Sequence, residues 1–236
     1  MMDSWALLGR DLKEAFADIW GFTCRHWLLY SIVMVLTLGV AFGWMFPRDL
    51  EWVLSGTLAE ESLGLTVAEY VSDIGDGTLF LLVLIGLRIF AGYRKNRYLQ
   101  KVVVMYFAVA LTTSLIARVG KNLTGRPRPD EVIKHDLDAT QLTGPNVKKY
   151  THQSFPSGHT ATSLGSALPV LATAHPVIGV PVAILGGACA WSRFYTQNHY
   201  ISDIFVSSVI SILVSVAGVS TFKRRQREEA WGGSNS

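Results

Sequence analysis

Three short runs in this 236-residue chain hold residue types that can handle a phosphoryl group. The first is Lys121-Asn122-Leu123-Thr124-Gly125-Arg126-Pro127-Arg128-Pro129. The second is Pro156-Ser157-Gly158-His159, and the third is Ser192-Arg193 followed by His199 and Asp203. Lys121, Arg128 and Arg193 supply cations: a guanidinium grips phosphate oxygens through a planar fork, and an ammonium adds a point charge. Ser157 and Gly158 stand just before an expected helix, where free backbone N–H groups and the helix dipole favour an anion. His199 and Asp203 are four residues apart, so on a helix they share one face. The carboxylate can then bond one ring nitrogen and fix the tautomer, leaving the other nitrogen free to attack phosphorus and form a phosphohistidine. His159 can protonate the leaving oxygen and afterwards activate water. The cations would stabilise charge on the equatorial oxygens. Taken singly, each run has an ordinary reading as an Arg-Pro turn or a helix start. His26, His135, His152 and His175, which lie outside the runs, take the structural reading.

The elements that must position these residues are apolar helices. Half of the chain (50%) is hydrophobic, 17% is charged, and the mean hydropathy is +0.30. A soluble domain carries about 25% charged residues, and a disordered chain needs low hydrophobicity, so both classes are disfavoured. A formal charge of +3 is too mild to indicate a nucleic-acid partner. The two cysteines, Cys24 and Cys189, read as small buried residues, with no disulfide scaffold and no zinc spacing.

A bilayer core of about 30 Å needs roughly 20 apolar helical residues. Six spans are expected: Trp27 to Phe46, Thr78 to Tyr93 (short, with Arg88 inside), Val102 to Gly120, Thr162 to Ala174, Pro176 to Trp191 and Ile201 to Phe222. His175-Pro176 reads as a tight turn between antiparallel helices. The first span starts too late and runs too long for a cleaved signal peptide. Before it, Trp5, Leu8, Leu12, Phe16, Ile19 and Trp20 recur at helical spacing, which reads as an amphipathic helix in the membrane interface. A core-facing helix of a small cap is the alternative. The expected fold is therefore all-α: an integral membrane bundle of six transmembrane helices with an N-terminal amphipathic interfacial helix. Residues 1–26 form that helix, residues 27–222 the membrane domain, and residues 223–236 a basic, disordered cytoplasmic tail.

Positive residues set orientation. The N-terminal segment, the stretch Arg94 to Lys101 and the tail after Lys223 are basic, and six spans put all three in the cytoplasm. Pro47 to Gly77 reads as an acidic outer loop. Lys121, Arg126, Arg128, Lys134, Lys148 and Lys149 then fall outside, against the rule. Either the topology is inverted or these cations are held outside for a purpose, and the gathering of all three runs at outer helix ends favours the second. The stretch from Asp130 to Ser154 reads as a lid or as a solvated loop.

The three runs resemble the signature of the type 2 phosphatidic acid phosphatase superfamily: Lys, six residues, Arg-Pro; then Pro-Ser-Gly-His; then Ser-Arg, five residues, His, three residues, Asp. Lys121, Arg128, Pro129, Pro156, Ser157, Gly158, His159, Ser192, Arg193, His199 and Asp203 fit every fixed position. Arg126-Pro127 lies at the wrong spacing from Lys121. Gly75-Asp76-Gly77 is similar to a turn in membrane members. The resemblance, closest to the bacterial membrane lipid phosphatases, implies His199 as nucleophile, Asp203 orienting it and His159 as acid–base. It implies Lys121, Arg128, Ser157, Gly158 and Arg193 as phosphate-binding residues, with no metal and no cofactor. It also implies a six-helix membrane bundle with its site near the outer surface; joined to the charge pattern, this gives the expectation of a multi-pass plasma membrane enzyme with both termini cytoplasmic and its site on the outer, periplasmic face. The expected substrate and partner is a lipid phosphate or diphosphate: phosphatidylglycerol phosphate, phosphatidic acid, polyprenyl diphosphate or lipid A. A lipid phosphotransferase is the alternative enzyme. A protein that binds or transports anionic lipids is the non-enzyme alternative.

Overall fold

The structure, a computed structural model, describes residues 2–56, 62–75 and 77–234. Ten α-helices account for most of them: α1 (Met2–Arg25), α2 (Trp27–Val40), α3 (Phe46–Gly56), α4 (Leu63–Ile74), α5 (Thr78–Tyr93), α6 (Arg97–Thr124), α7 (Pro129–His135), α8 (Gly158–Thr173), α9 (Pro176–Tyr195) and α10 (Ile201–Ser234). A π-helical turn, Ala41–Met45, joins α2 to α3 without a break in the rod. No strand occurs among the described residues.

The helix ends follow local chemistry. Asn96 caps α6 by accepting the Leu99 N–H at 3.0 Å. Gly125 ends α6 in the left-handed region at φ 61°, where a Cβ would fall 2.3 Å from the Gly144 carbonyl oxygen. Ser157 caps α8 through the Thr160 N–H. His175 and Pro176 start α9 as expected, with His175 Nδ1 accepting the Val177 N–H.

Among the described residues, four helical segments are long and apolar enough to cross a membrane: Trp27–Gly56, Arg97–His135, Pro176–Tyr195 and Ile201–Trp231. A fifth is reached if α4 and α5, bent by 42°, count as one. The expected six spans are not met. Thr162 to Ala174 lies in α8, whose 16 residues reach only about 24 Å. It owes its place to packing against α6, α9 and α10. Thr160, Ser163 and Ser166 are buried in those contacts, and the Thr113 hydroxyl of α6 bonds the Ala161 carbonyl at 3.0 Å. Apolar side chains point outward elsewhere, among them Leu29 and Leu36 on α2, Leu82 and Ile89 on α5, and Val177 and Ile184 on α9. Such a surface suits lipid.

Three other expectations change. Pro47 to Gly77 is largely helical, because α3 extends the first rod to Gly56 and α4 follows; Asp76 lies outside the described residues. The tail expected to be disordered from residue 223 continues α10 to Ser234. Its charges are used there, since Arg225 pairs with Glu14 and Asp18 of α1, and Lys101 of α6 pairs with Glu229. Residues 235–236 lie outside the described residues. Cys24 is exposed, and only Cys189 is buried.

α1 lies against α6 and α10 at the basic end of the bundle. Ile19 is buried there, and Asp11, off the apolar stripe in sequence, is buried against Arg97. Trp5 and Trp20 face outward. Lys223, on α10, donates to the Ala172 carbonyl near the end of α8. The opposite end gathers the C-terminus of α6, the N-terminus of α8, the C-terminus of α9 and the N-terminus of α10.

Candidate active site

Each of the three runs sits on one of those helix ends. Lys121 is in the last turn of α6, and Arg128 stands just before α7. Ser157, Gly158 and His159 open α8, Arg193 is in the last turn of α9, and His199 and Asp203 flank the start of α10. The ends interlock through the main chain. The Ser157 N–H donates to the Asp203 carbonyl at 3.2 Å, and the His199 N–H to the Arg193 carbonyl at 3.1 Å. A Cβ on Gly158 would meet Lys121 Nζ at 3.2 Å, so the lysine tip lies over the first residue of α8.

His199 and Asp203 are both fully buried. His199 Nδ1 faces Asp203 Oδ2 at 3.4 Å, a long contact compared with a hydrogen bond of about 2.7–3.2 Å. Oδ2 also accepts the Ser154 hydroxyl at 2.5 Å and the Tyr200 N–H at 3.0 Å. With the carboxylate on the Nδ1 side, Nε2 is the ring atom left for chemistry. Nε2 is buried and meets no hydrogen-bond partner among the described residues. Burial holds the His199 pKa well below the usual histidine value, and the Lys121 charge lowers it further. The ring is therefore neutral, as a nucleophile must be.

That burial has a cost at low pH. The unfolded chain takes up the His199 proton below about pH 6.5, while the folded chain resists it. The stability is complete above that pH and is lost as the pH falls towards the lower folded value. Thermal melts in detergent from pH 7.5 to pH 5 should fall more steeply for the wild type than for His199→Gln, by at most about 1.4 kcal/mol per pH unit. Parallel curves would show that His199 is not buried as a neutral ring.

The cations occupy the other side. Lys121, Arg128 and Arg193 are buried, yet none pairs with a carboxylate among the described residues. Arg128 donates to Asn198 Oδ1 at 2.8 Å and to the Tyr150 carbonyl at 3.3 Å, and its guanidinium lies 3.8 Å from the Tyr150 ring centre. Arg193 donates through Nη1 to the Ser72 hydroxyl of α4, and its Nε meets no partner. Buried cations without carboxylates leave a site electrostatically short of an anion. His159 is half-buried in the first turn of α8, beside Gly158.

The stretch from Asp130 to Ser154 is neither a free lid nor a loose loop. Thr143 Oγ1 donates to the Gly125 carbonyl at 2.7 Å, and the Asn146 N–H to the Asn122 carbonyl at 2.7 Å. The Arg128 N–H donates to the Thr151 carbonyl, and the Ser154 N–H to the Arg126 carbonyl. This strap delivers Tyr150 to Arg128 and Ser154 to Asp203.

A family model described as the PAP2 superfamily matches residues 99–227, more than half of the 236. The chain belongs to the PAP2 superfamily. The match begins in α6 and covers all three sequence runs. Membership in the PAP2 superfamily supports a phosphoester hydrolase. No curated protein and no solved structure matches it.

Sequence reasoning missed several residues that hold the site together. Arg126 bonds Asp203, Ser154 caps the same carboxylate, Asn198 and Tyr150 hold Arg128, and Ser72 holds Arg193. Asn198 adjoins His199, and Ser154 lies two residues before Pro156; those neighbourhoods were the only signal available. Ser72 lies far away in sequence and gave none.

Proposed function

We propose that this PAP2 protein hydrolyses a lipid phosphate or diphosphate through a phosphohistidine on His199. One observation carries the reading: the buried, partnerless Nε2 of His199 in a site whose three cations lack carboxylate partners. In the first step the Nε2 lone pair attacks phosphorus, the P–N bond forms and the P–O ester bond breaks. The leaving oxygen takes a proton from His159. In the second step His159 takes a proton from water, the water oxygen attacks phosphorus, and the P–N bond breaks to return His199. Lys121, Arg128, Arg193 and the Gly158 N–H bind the phosphoryl oxygens as charge builds on them, while Ser157, whose own N–H is held by the Asp203 carbonyl, sets the start of α8 beneath them. Asp203 holds the ring.

A lipid substrate is supported by an apolar groove of about 430 Å³ among α5, α6, α8 and α9. Leu79, Val83, Val103, Val170, Ile178 and Leu185 line it. Thr162 lines it too and bonds the Gly158 carbonyl at 3.0 Å, so the groove starts one helical turn from the phosphate-binding residues. A chain of the membrane lipid-phosphatase branch, acting on phosphatidylglycerol phosphate, phosphatidic acid or a polyprenyl diphosphate, fits this arrangement. The basic end, with Arg97, Lys101, Lys223 and Arg225, would face the cytoplasm, and the site would face outward. α1 would lie at the cytoplasmic interface with Trp5 and Trp20 toward lipid.

The test is phosphate release by purified protein from a panel of these lipids, with and without EDTA, alongside His199→Ala. EDTA-resistant release that disappears in the variant is expected. Release that needs a metal, or that persists in His199→Ala, overturns the mechanism. Consumption of the lipid phosphate without free phosphate, with a phosphorylated alcohol formed only when an acceptor is present, would make the enzyme a phosphotransferase.

A further inference from the structure

Arg126 cannot serve as a phosphate ligand. Its guanidinium is fully buried and four of its five N–H donors are taken: Nη1 reaches Asp203 Oδ1 and the Ser202 hydroxyl, each at 2.8 Å. Nη2 reaches Asp49 Oδ2 at 3.0 Å, and Nε reaches the Ala139 carbonyl at 3.0 Å. Both faces are closed, with the Phe46 ring centre 3.6 Å and the Tyr200 ring centre 3.9 Å from the guanidinium carbon. Asp49 is equally buried and accepts both the N–H and the hydroxyl of Ser202. One cation thus stands between two buried carboxylates, and one of those carboxylates faces His199.

We propose that Arg126 is the positioning residue of the His199–Asp203 pair, and that Asp49 is its second anchor. The inference rests on the reading of His199 as nucleophile. The physical argument is geometric. Asp203 can aim His199 only if its own plane is fixed, and the planar fork of Arg126 fixes it from the Oδ1 side while Ser154 and the Tyr200 N–H hold Oδ2. Asp49 fixes the fork in turn. Asp49 lies on α3, which continues the first long helix and falls outside the matched residues 99–227. A part of the chain that carries none of the three sequence runs therefore sets the orientation of the nucleophile.

Without the guanidinium, two buried carboxylates are left side by side, and one of them takes up a proton. Arg126→Gln should lower kcat by roughly a hundredfold with KM within about threefold of wild type. It should also move the acid limb of the kcat–pH profile upward by about one unit. Arg126→Lys keeps the charge without the fork and should recover about tenfold of the loss. Asp49→Asn, which leaves the Arg126–Asp203 bond in place, should lower kcat by only a few-fold, without an upward shift of the acid limb. Each rate is taken per folded protein, scored by thermal melting. A purely structural Arg126 would lower the melting temperature and leave kcat, KM and the pH profile of the folded fraction unchanged, and that result overturns the inference. A loss confined to KM overturns it too, because Arg126 would then contact substrate. If Arg126→Gln does not fold, Arg126→Lys is judged on kcat and KM: a fall in kcat of about tenfold with KM held supports the inference, and wild-type kcat overturns it. His199→Ala separates the two levels. If it stays active, the proposed function fails. If it is inactive while Arg126→Gln behaves as wild type, only the positioning role fails.

Discussion

His199→Ala should lose phosphate release by a factor on the order of 10³ or more, without loss of fold. Alanine removes the one ring atom that is buried among the cations and lacks a partner of its own. Nothing else in the site can replace it. Asp203 is committed to Arg126, Ser154 and the Tyr200 N–H, and Ser157 is committed to Thr160 at the cap of α8. The decisive measurement is brief exposure to a substrate labelled with ³²P, followed by alkaline quenching. Wild type should retain label as an alkali-stable, acid-labile phosphoramidate, and the variant should retain none. Label on a carboxylate or a serine would move the nucleophile elsewhere.

His159→Ala should cost about 10²- to 10⁴-fold, but only where the leaving group needs a proton. A lipid alkoxide is a poor leaving group and depends on His159. An aryl oxide is stable as the anion and does not. The loss should therefore be large for a lipid phosphate and small in the first turnover of an aryl phosphate. The second step still needs His159 to activate water, so the variant should release one equivalent of phenol quickly and then stall. Equal losses for both esters, with no burst, would make His159 a binding or structural residue.

The residues proposed for chemistry were legible because their spacing is local. His199 and Asp203 are four positions apart, a spacing that brings them together across the start of α10, and Ser157-Gly158-His159 defines a helix start. What holds them was not legible. Arg126 looked dispensable beside Arg128, and its partner Asp49 is 77 residues away, in a stretch that reads as an acidic outer loop. Only the tertiary fold brings the two together. The span count failed for a related reason. Average hydropathy cannot tell a helix that faces lipid from one wrapped by its neighbours, and α8 is of the second kind. The tail reads as disordered from its Gly-Gly-Ser-Asn-Ser end, whereas Arg225 meets Glu14 and Asp18 from the other end of the chain. The helix boundary at His175-Pro176 came out as expected, since a proline start is written in the sequence itself.

The groove beside α8 opens sideways: Leu79 and Val83 on α5 and Ile178 and Leu185 on α9 are exposed along its rim. A substrate whose tail lies there never leaves the plane of the sheet that holds it. Its supply is then counted per unit of surface, and thinning it with inert lipid slows turnover although the bulk molarity stays the same. The two products part company at once. If the substrate is a lipid phosphate as proposed, the freed alcohol would diffuse away in two dimensions and the phosphate would escape into the third.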